Sequence, residues 1–142
     1  MTVNLQDDLD RTRRFVLQHY SSALMSNTKW HKLFAVLSEA STGIEQIIIK
    51  FVDNTNTHTM QVPRTRDLNA PRSFIDTIEF GPIELCAIEW IKVPKLAKPR
   101  IDGVPVSAAK QDIDLILTKI TKIGQLPIEV SNDTLKITGY IR

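Results

Sequence analysis

The sequence predicts an α+β domain in which a mainly antiparallel or mixed sheet of about five strands packs against two principal helices, with an additional N-terminal helix. Three patterns lead there. Segments 44–62 and 127–141 each read as two strands around a turn composition, the mark of a hairpin. Segments 26–43 and 106–124 carry apolar residues at helical spacing, and Pro82–Val93 is a long apolar run of strand character. A length of 142 residues suits one domain, and the 42% hydrophobic share suffices for a core without a metal or disulfide staple.

Over residues 4–24, Leu5, Leu9, Val16, Leu17, Tyr20 and Leu24 fall near one face of a 3.6-residue period. Asp7, Asp8 and Asp10 precede Arg11, Arg13 and Arg14, an order that suits the helix dipole. Met25 followed by Ser26-Asn27-Thr28 resembles a fresh chain start, so 1–24 is read as an N-terminal helical extension and 25–142 as a single α+β domain. The extension could pack onto the domain or pair with another copy.

Ser26, Asn27 or Thr28 can cap the next helix, whose core face is Trp30, Leu33, Phe34 and Leu37, with Gly43 as its stop. Ile44–Val52 changes to strand period, with Ile47, Ile49 and Phe51 on one face and Ile48, Lys50 and Val52 on the other. Asp53-Asn54-Thr55-Asn56 turns the chain into a partner strand over Thr57–Val62. Pro63–Ser73 reads as an exposed connection bearing Arg64, Arg66 and Arg72; Phe74–Phe80 fits a short edge strand or a helical turn equally well.

Alternation along Pro82–Val93 assigns Ile83, Leu85, Ala87, Glu89, Ile91 and Val93 to one face, and Glu84, Cys86, Ile88, Trp90 and Lys92 to the other. Both faces are mostly apolar, which predicts an inner strand ended by Pro94. After a loop at 95–105, a helix is expected to start at Val106–Ser107 and to bury Ile113, Ile116, Leu117, Ile120 and Ile123 before Gly124. In the closing hairpin Leu135, Ile137 and Ile141 share one face, and Lys136, Thr138, Tyr140 and Arg142 the other.

Chemistry is sparse. His19, His31, His58 and Cys86 lack metal-ligand spacing, and neither a nucleophile elbow nor a phosphate-binding glycine loop occurs, so no catalytic residue, metal or cofactor is assigned. Cys86 in an apolar strand reads as a small hydrophobe. A single cysteine, no signal-peptide pattern and no spanning apolar run make the cytoplasm the expected setting, without membrane association. The formal charge of +2 is too slight for a nucleic-acid field by itself, and Asp76, Glu79, Glu84 and Glu89 oppose the basic run Lys92, Lys95, Lys98 and Arg100.

Arg64, Arg66, Arg72, Glu89, Trp90, Lys92 and Lys95 are the candidate partner-binding residues: a tryptophan beside mixed charges next to an arginine-bearing loop. If buried, Glu89 requires Lys50, a loop arginine or a tyrosine hydroxyl as partner. Glu84 and Glu89 have opposite strand parity and form no acid/base pair unless a bulge intervenes.

The segments Ser26-Asn27-Thr28-Lys29-Trp30 with Leu33-Phe34, and Glu84-Leu85-Cys86-Ala87-Ile88-Glu89-Trp90-Ile91, resemble a group of small bacterial proteins of uncharacterised function similar in form to immunity proteins of interbacterial toxin systems. The resemblance covers 25–142 and implies stoichiometric binding of a cognate toxin. The mild positive charge points away from a basic nuclease as that toxin. The expected function is therefore a non-catalytic intracellular protein-interaction module, with a homodimer as another possible assembly. The alternatives are nucleic-acid binding, or a nucleic-acid-processing enzyme built from Glu89, His58 and an arginine.

Overall fold

The computed structural model describes residues 5–39, 42–64, 73–77, 79–97 and 109–142. Helix α1 (Leu5–His19) leads into a short strand β1 (Ser22–Ala23). Helix α2 (Asn27–Leu37) begins where the Ser26 side chain, on extended backbone, accepts the Lys29 N–H, and it buries Trp30, Leu33, Phe34 and Leu37. Strands β2 (Gln46–Phe51) and β3 (Thr57–Gln61) form the first expected hairpin. Strands β4 (Phe74–Thr77) and β5 (Gly81–Glu84) form a separate small hairpin, so Phe74–Thr77 is a strand.

A 3₁₀ turn, Leu85–Ala87, then delivers the chain to β6 (Ile88–Pro94). Strands β7 (Leu96–Ala97) and β8 (Ala109–Lys110) pair briefly, α3 spans Ile113–Thr121, and β9 (Ile128–Val130), β10 (Thr134–Thr138) and β11 (Tyr140–Ile141) follow. The main sheet has the order β3-β2-β6-β10-β9, and every neighbouring pair is antiparallel. Ile47, Ile49, Met60, Ile91, Val93, Leu135 and Ile137 cover its inner face and share one core with the apolar faces of α2 and α3. The α+β architecture, five strands against two principal helices plus an N-terminal helix, is the one the sequence predicts.

The segment Pro82–Val93 is not one strand. Alternation can bury Leu85 and Ile91 together but sends Ile88 to the other face, whereas all three are fully buried. The 3₁₀ turn resolves the conflict, because its three-residue period places Leu85 and Ile88 on one side. Leu85 N–H bonds the Ser73 carbonyl, and Val52 N–H bonds that of Ala87, so the turn is stitched to both sheets. Only the second half of the expected strand is central.

Two further expectations are corrected. Helix α3 starts at Ile113, where Asp112 accepts the Leu115 N–H; Ala109–Lys110 are extended, and Val106 and Ser107 lie outside the described residues. Ile141 does not join Leu135 and Ile137, because the chain leaves the main sheet at Gly139; β11 pairs instead with β1, and Ile141 is exposed.

Segment 1–24 contributes α1 and β1. Ser22 opposes Ile141, Ala23 opposes Tyr140, and Leu24 N–H bonds the Gly139 carbonyl. On α1, the Thr12 hydroxyl donates to Glu84 Oε2 at 2.5 Å. At the opposite end of β6, buried Gln111 closes the gap between β2 and β6. Its Oε1 accepts the N–H groups of Glu45 and Gln46, and its Nε2 donates to the carbonyls of Gln46 and Pro94.

Candidate functional site

Lys50 pairs with Trp90 but its neighbour Phe51 pairs with Ile88, so Glu89 is an extra residue in β6. Such a bulge breaks alternation. Glu89 leaves the face of Ile91 and Val93, where the sequence reading put it, and joins Trp90 and Lys50 on the outer face. Lys50 Nζ lies 2.8 Å from Glu89 Oε2 and the Tyr20 hydroxyl lies 2.5 Å from Oε1, with Arg142 Nε at 3.5 Å. Of the partners anticipated for a buried Glu89, the lysine and a tyrosine hydroxyl are those found.

Burial alone would raise the Glu89 carboxyl, but hydrogen bonds from Lys50 and Tyr20 and the charges of Lys50 and Arg142 outweigh it and hold the group below its ordinary value. Burial, reinforced by Glu89, pushes the Tyr20 hydroxyl up to about 12. Ionised Glu89 is thereby consumed in joining the bulge to the N-terminal segment and to Arg142, the last residue. It is a clasp within the chain and presents little surface to a partner.

Trp90 differs. It is half-buried on the outer face, with Lys50 and Thr138 as its cross-strand neighbours. Lys92 Nζ stands 4.6 Å from the ring centroid and Lys136 Nζ 5.4 Å, both within cation–π range. Lys92 and Lys136 are themselves directly opposed across β6 and β10. Both lysines also line a groove of about 500 Å³ with Glu129, Val130, Ser131, Asp133 and Thr134. The arrangement offers one flat aromatic surface with two ammonium groups, beside the Glu129 and Asp133 carboxylates.

The remaining candidates are dispersed. Lys95 follows β6 and is exposed, bonding through its N–H to the Asp133 carbonyl. Arg64 lies past the end of β3, lining a cavity with Glu45 and Gln61. That is the Gln46 end of β2, four residues from Lys50 or roughly 13 Å along the strand, so Arg64 does not join the Trp90 cluster. Arg66, Arg72, Lys98 and Arg100 lie outside the described residues.

His58 opposes Ile49 on the inner-face side, packed against Phe51 and Phe80 with Nε2 3.2 Å from Asn54 Nδ2. Glu89 is on the other face, so the Glu89–His58 constellation is not assembled. Burial, then the nearby Glu84 carboxylate, pushes the half-buried Cys86 thiol up to about 11, opposite to an activated nucleophile. Among the described residues no three His, Cys, Asp or Glu side chains cluster as a metal site, and no helix is long and apolar enough to cross a membrane.

Sequence reading missed Lys136 as a site residue, although strand alternation already put it opposite the core face. What it lacked was the register that sets Lys136 against Lys92. Tyr20, Arg142 and Gly139 were missed because only the folded chain brings them to Glu89.

Fold and site together define a helix-backed antiparallel-sheet domain that displays a lysine-flanked tryptophan on its outer face. Residues 12–142 match a family of unknown function, DUF6678, and the chain belongs to that family. The match begins inside α1 and runs to the last residue. Neither a curated protein nor a solved structure matches the chain.

Proposed function

We propose that this protein is a non-catalytic protein-interaction module that binds its partner through the outer face of the main sheet, centred on Trp90. The observation that carries this reading is the placement of a large aromatic side chain on the face away from α2 and α3, between two lysines, while the chain's other tryptophan is buried in the core. Tryptophan is favoured at the centres of interfaces because one rigid ring contributes much contact area at little entropic cost. The Glu89 clasp and the β6 backbone hold that ring on a sheet whose inner face is fully packed, so the surface is preformed.

Neutralisation of a toxin by stoichiometric binding in a bacterial cytoplasm is the specific form of this reading, drawn from the resemblance to immunity proteins. Its test is co-expression with the products of neighbouring genes, followed by mass measurement of the purified complex. The expected result is an equimolar complex, relief of any toxicity of the neighbour, and loss of both in Trp90→Ala. Complexes that form equally well with Trp90→Ala would overturn the assignment of the surface.

A further inference from the structure

Lys92 and Lys136 sit directly opposite each other on adjacent strands, an arrangement that destabilises a sheet through like-charge repulsion. Among the described residues neither lies within ion-pair reach of a carboxylate. Lys136 also opposes Glu129 across β9, yet its ammonium is turned to the Trp90 ring. The neighbouring cation, Lys50, is neutralised by Glu89 at 2.8 Å. The outer face thus holds two ammonium groups over one aromatic ring, each without a direct ion pair, with the Glu129 and Asp133 carboxylates farther along the same groove.

Resting on the reading of this face as the binding surface, we infer that its partner is an acidic protein segment whose carboxylates engage Lys92 and Lys136 while an adjoining apolar group covers Trp90. Charge and shape separate three kinds of occupant. A second copy of the chain docked with its two-fold axis at Trp90 would gather four lysines at one contact, which repel. A single-stranded nucleic acid would find its phosphate contacts, but sheets that hold bases stack them on successive aromatic rings, and among the described residues of the five main-sheet strands Trp90 is the single aromatic on this face, the neighbouring Tyr20 being buried against Glu89. A carboxylate-bearing polypeptide uses both features present: ammonium groups already desolvated on one side by the ring, and a ring edge left for apolar contact.

The test compares poly-glutamate with single-stranded oligothymidylate of matched charge, using tryptophan fluorescence. Trp90 reports on the surface because Trp30 is 1% exposed. The expected result is that poly-glutamate perturbs the emission in the wild type but not in Trp90→Phe, and that binding weakens about tenfold or more in Lys92→Gln/Lys136→Gln and at high salt. The double variant loses the like-charge pair together with both cation–π contacts, so it should keep the wild-type circular dichroism spectrum and a cooperative melt within a few degrees of wild type, which separates lost binding from lost fold. Tighter binding of oligothymidylate, no response to poly-glutamate, or undiminished binding by the double variant would each overturn the acidic-partner inference. A partner whose capture depends on Trp90 but not on the two lysines would overturn this inference alone and leave the interaction surface standing.

Discussion

Gly139 donates its N–H to the Glu89 carbonyl at 2.6 Å, joining the end of β10 to the bulge in the central strand. A Cβ at Gly139 would lie 2.5 Å from the Ile88 carbonyl oxygen and 3.1 Å from both the Glu89 carbonyl oxygen and Trp30 Cζ2. Two of those obstacles are backbone and the third is a buried ring, so none can yield cheaply. Gly139→Ala should cost about 1–3 kcal/mol by overpacking, measured by urea unfolding. An unchanged midpoint would show that the bulge does not need this approach.

The same bulge makes stability depend on acid. Glu89 is held below its ordinary 4.5 when folded, so the unfolded chain binds its proton more readily. Its contribution is complete above 4.5 and is lost as pH falls through the lower folded value. Glu89→Gln should destabilise by about 2–3 kcal/mol at neutral pH by leaving Lys50 without its counter-charge, and should flatten the decline in stability below 4.5. Parallel pH profiles for the two proteins would contradict the clasp.

Both tyrosines of the chain are raised, Tyr20 to about 12 by burial and Glu89, Tyr140 to about 12 by burial and Cys86. A raised tyrosine stabilises the fold fully below its ordinary 10 and loses that contribution between 10 and 12. Ultraviolet titration of the folded protein should therefore show little tyrosinate until well above 10, whereas the urea-unfolded chain titrates near 10. A folded-state midpoint near 10 would mean that neither hydroxyl is held as described.

Gln111 is 3% exposed, and its amide satisfies four backbone groups where β2 and β6 diverge. Gln111→Leu keeps the bulk but strands two donors and two acceptors, with an expected loss of about 2–4 kcal/mol after partial rescue by water. Gln111→Glu retains the acceptor for Glu45 and Gln46 and should fall between. Thermal unfolding of the pair checks the order, and equal stability of Leu, Glu and wild type would refute it.

How far the fold was legible follows from which interactions are local. The two hairpins and the Trp30, Leu33, Phe34, Leu37 face depend on turn residues and periodicity within a few positions, and they stand where the pattern put them. The break of Pro82–Val93 was hidden because Leu85, Ile88 and Ile91 carry equally apolar side chains and period two accommodates any pair of equal parity. What selects the turn is distant: Val52 N–H on the Ala87 carbonyl and Gly139 N–H on that of Glu89. For the site, Trp90 and Lys92 were visible as a charged aromatic pair, while Lys136 enters only through β10 register and Tyr20 only through α1 and β1.

The two tryptophans supply the last prediction, because they occupy opposite faces of one architecture. Trp30 is 1% exposed, packed on Phe34 and against Gly139, so Trp30→Ala should cost about 3–5 kcal/mol. Trp90 rests on the outer face, and Trp90→Ala should cost no more than about 1–1.5 kcal/mol, mostly the two cation–π contacts and partial burial. The lysines give a second, electrostatic signature. They concentrate anions at the Trp90 ring and repel cations, so the ratio of iodide to caesium quenching should exceed that of free tryptophan, and the excess should shrink in Lys92→Gln/Lys136→Gln. A ratio equal to that of free tryptophan would place Trp90 in a neutral field, contrary to the geometry of the two ammonium groups around it.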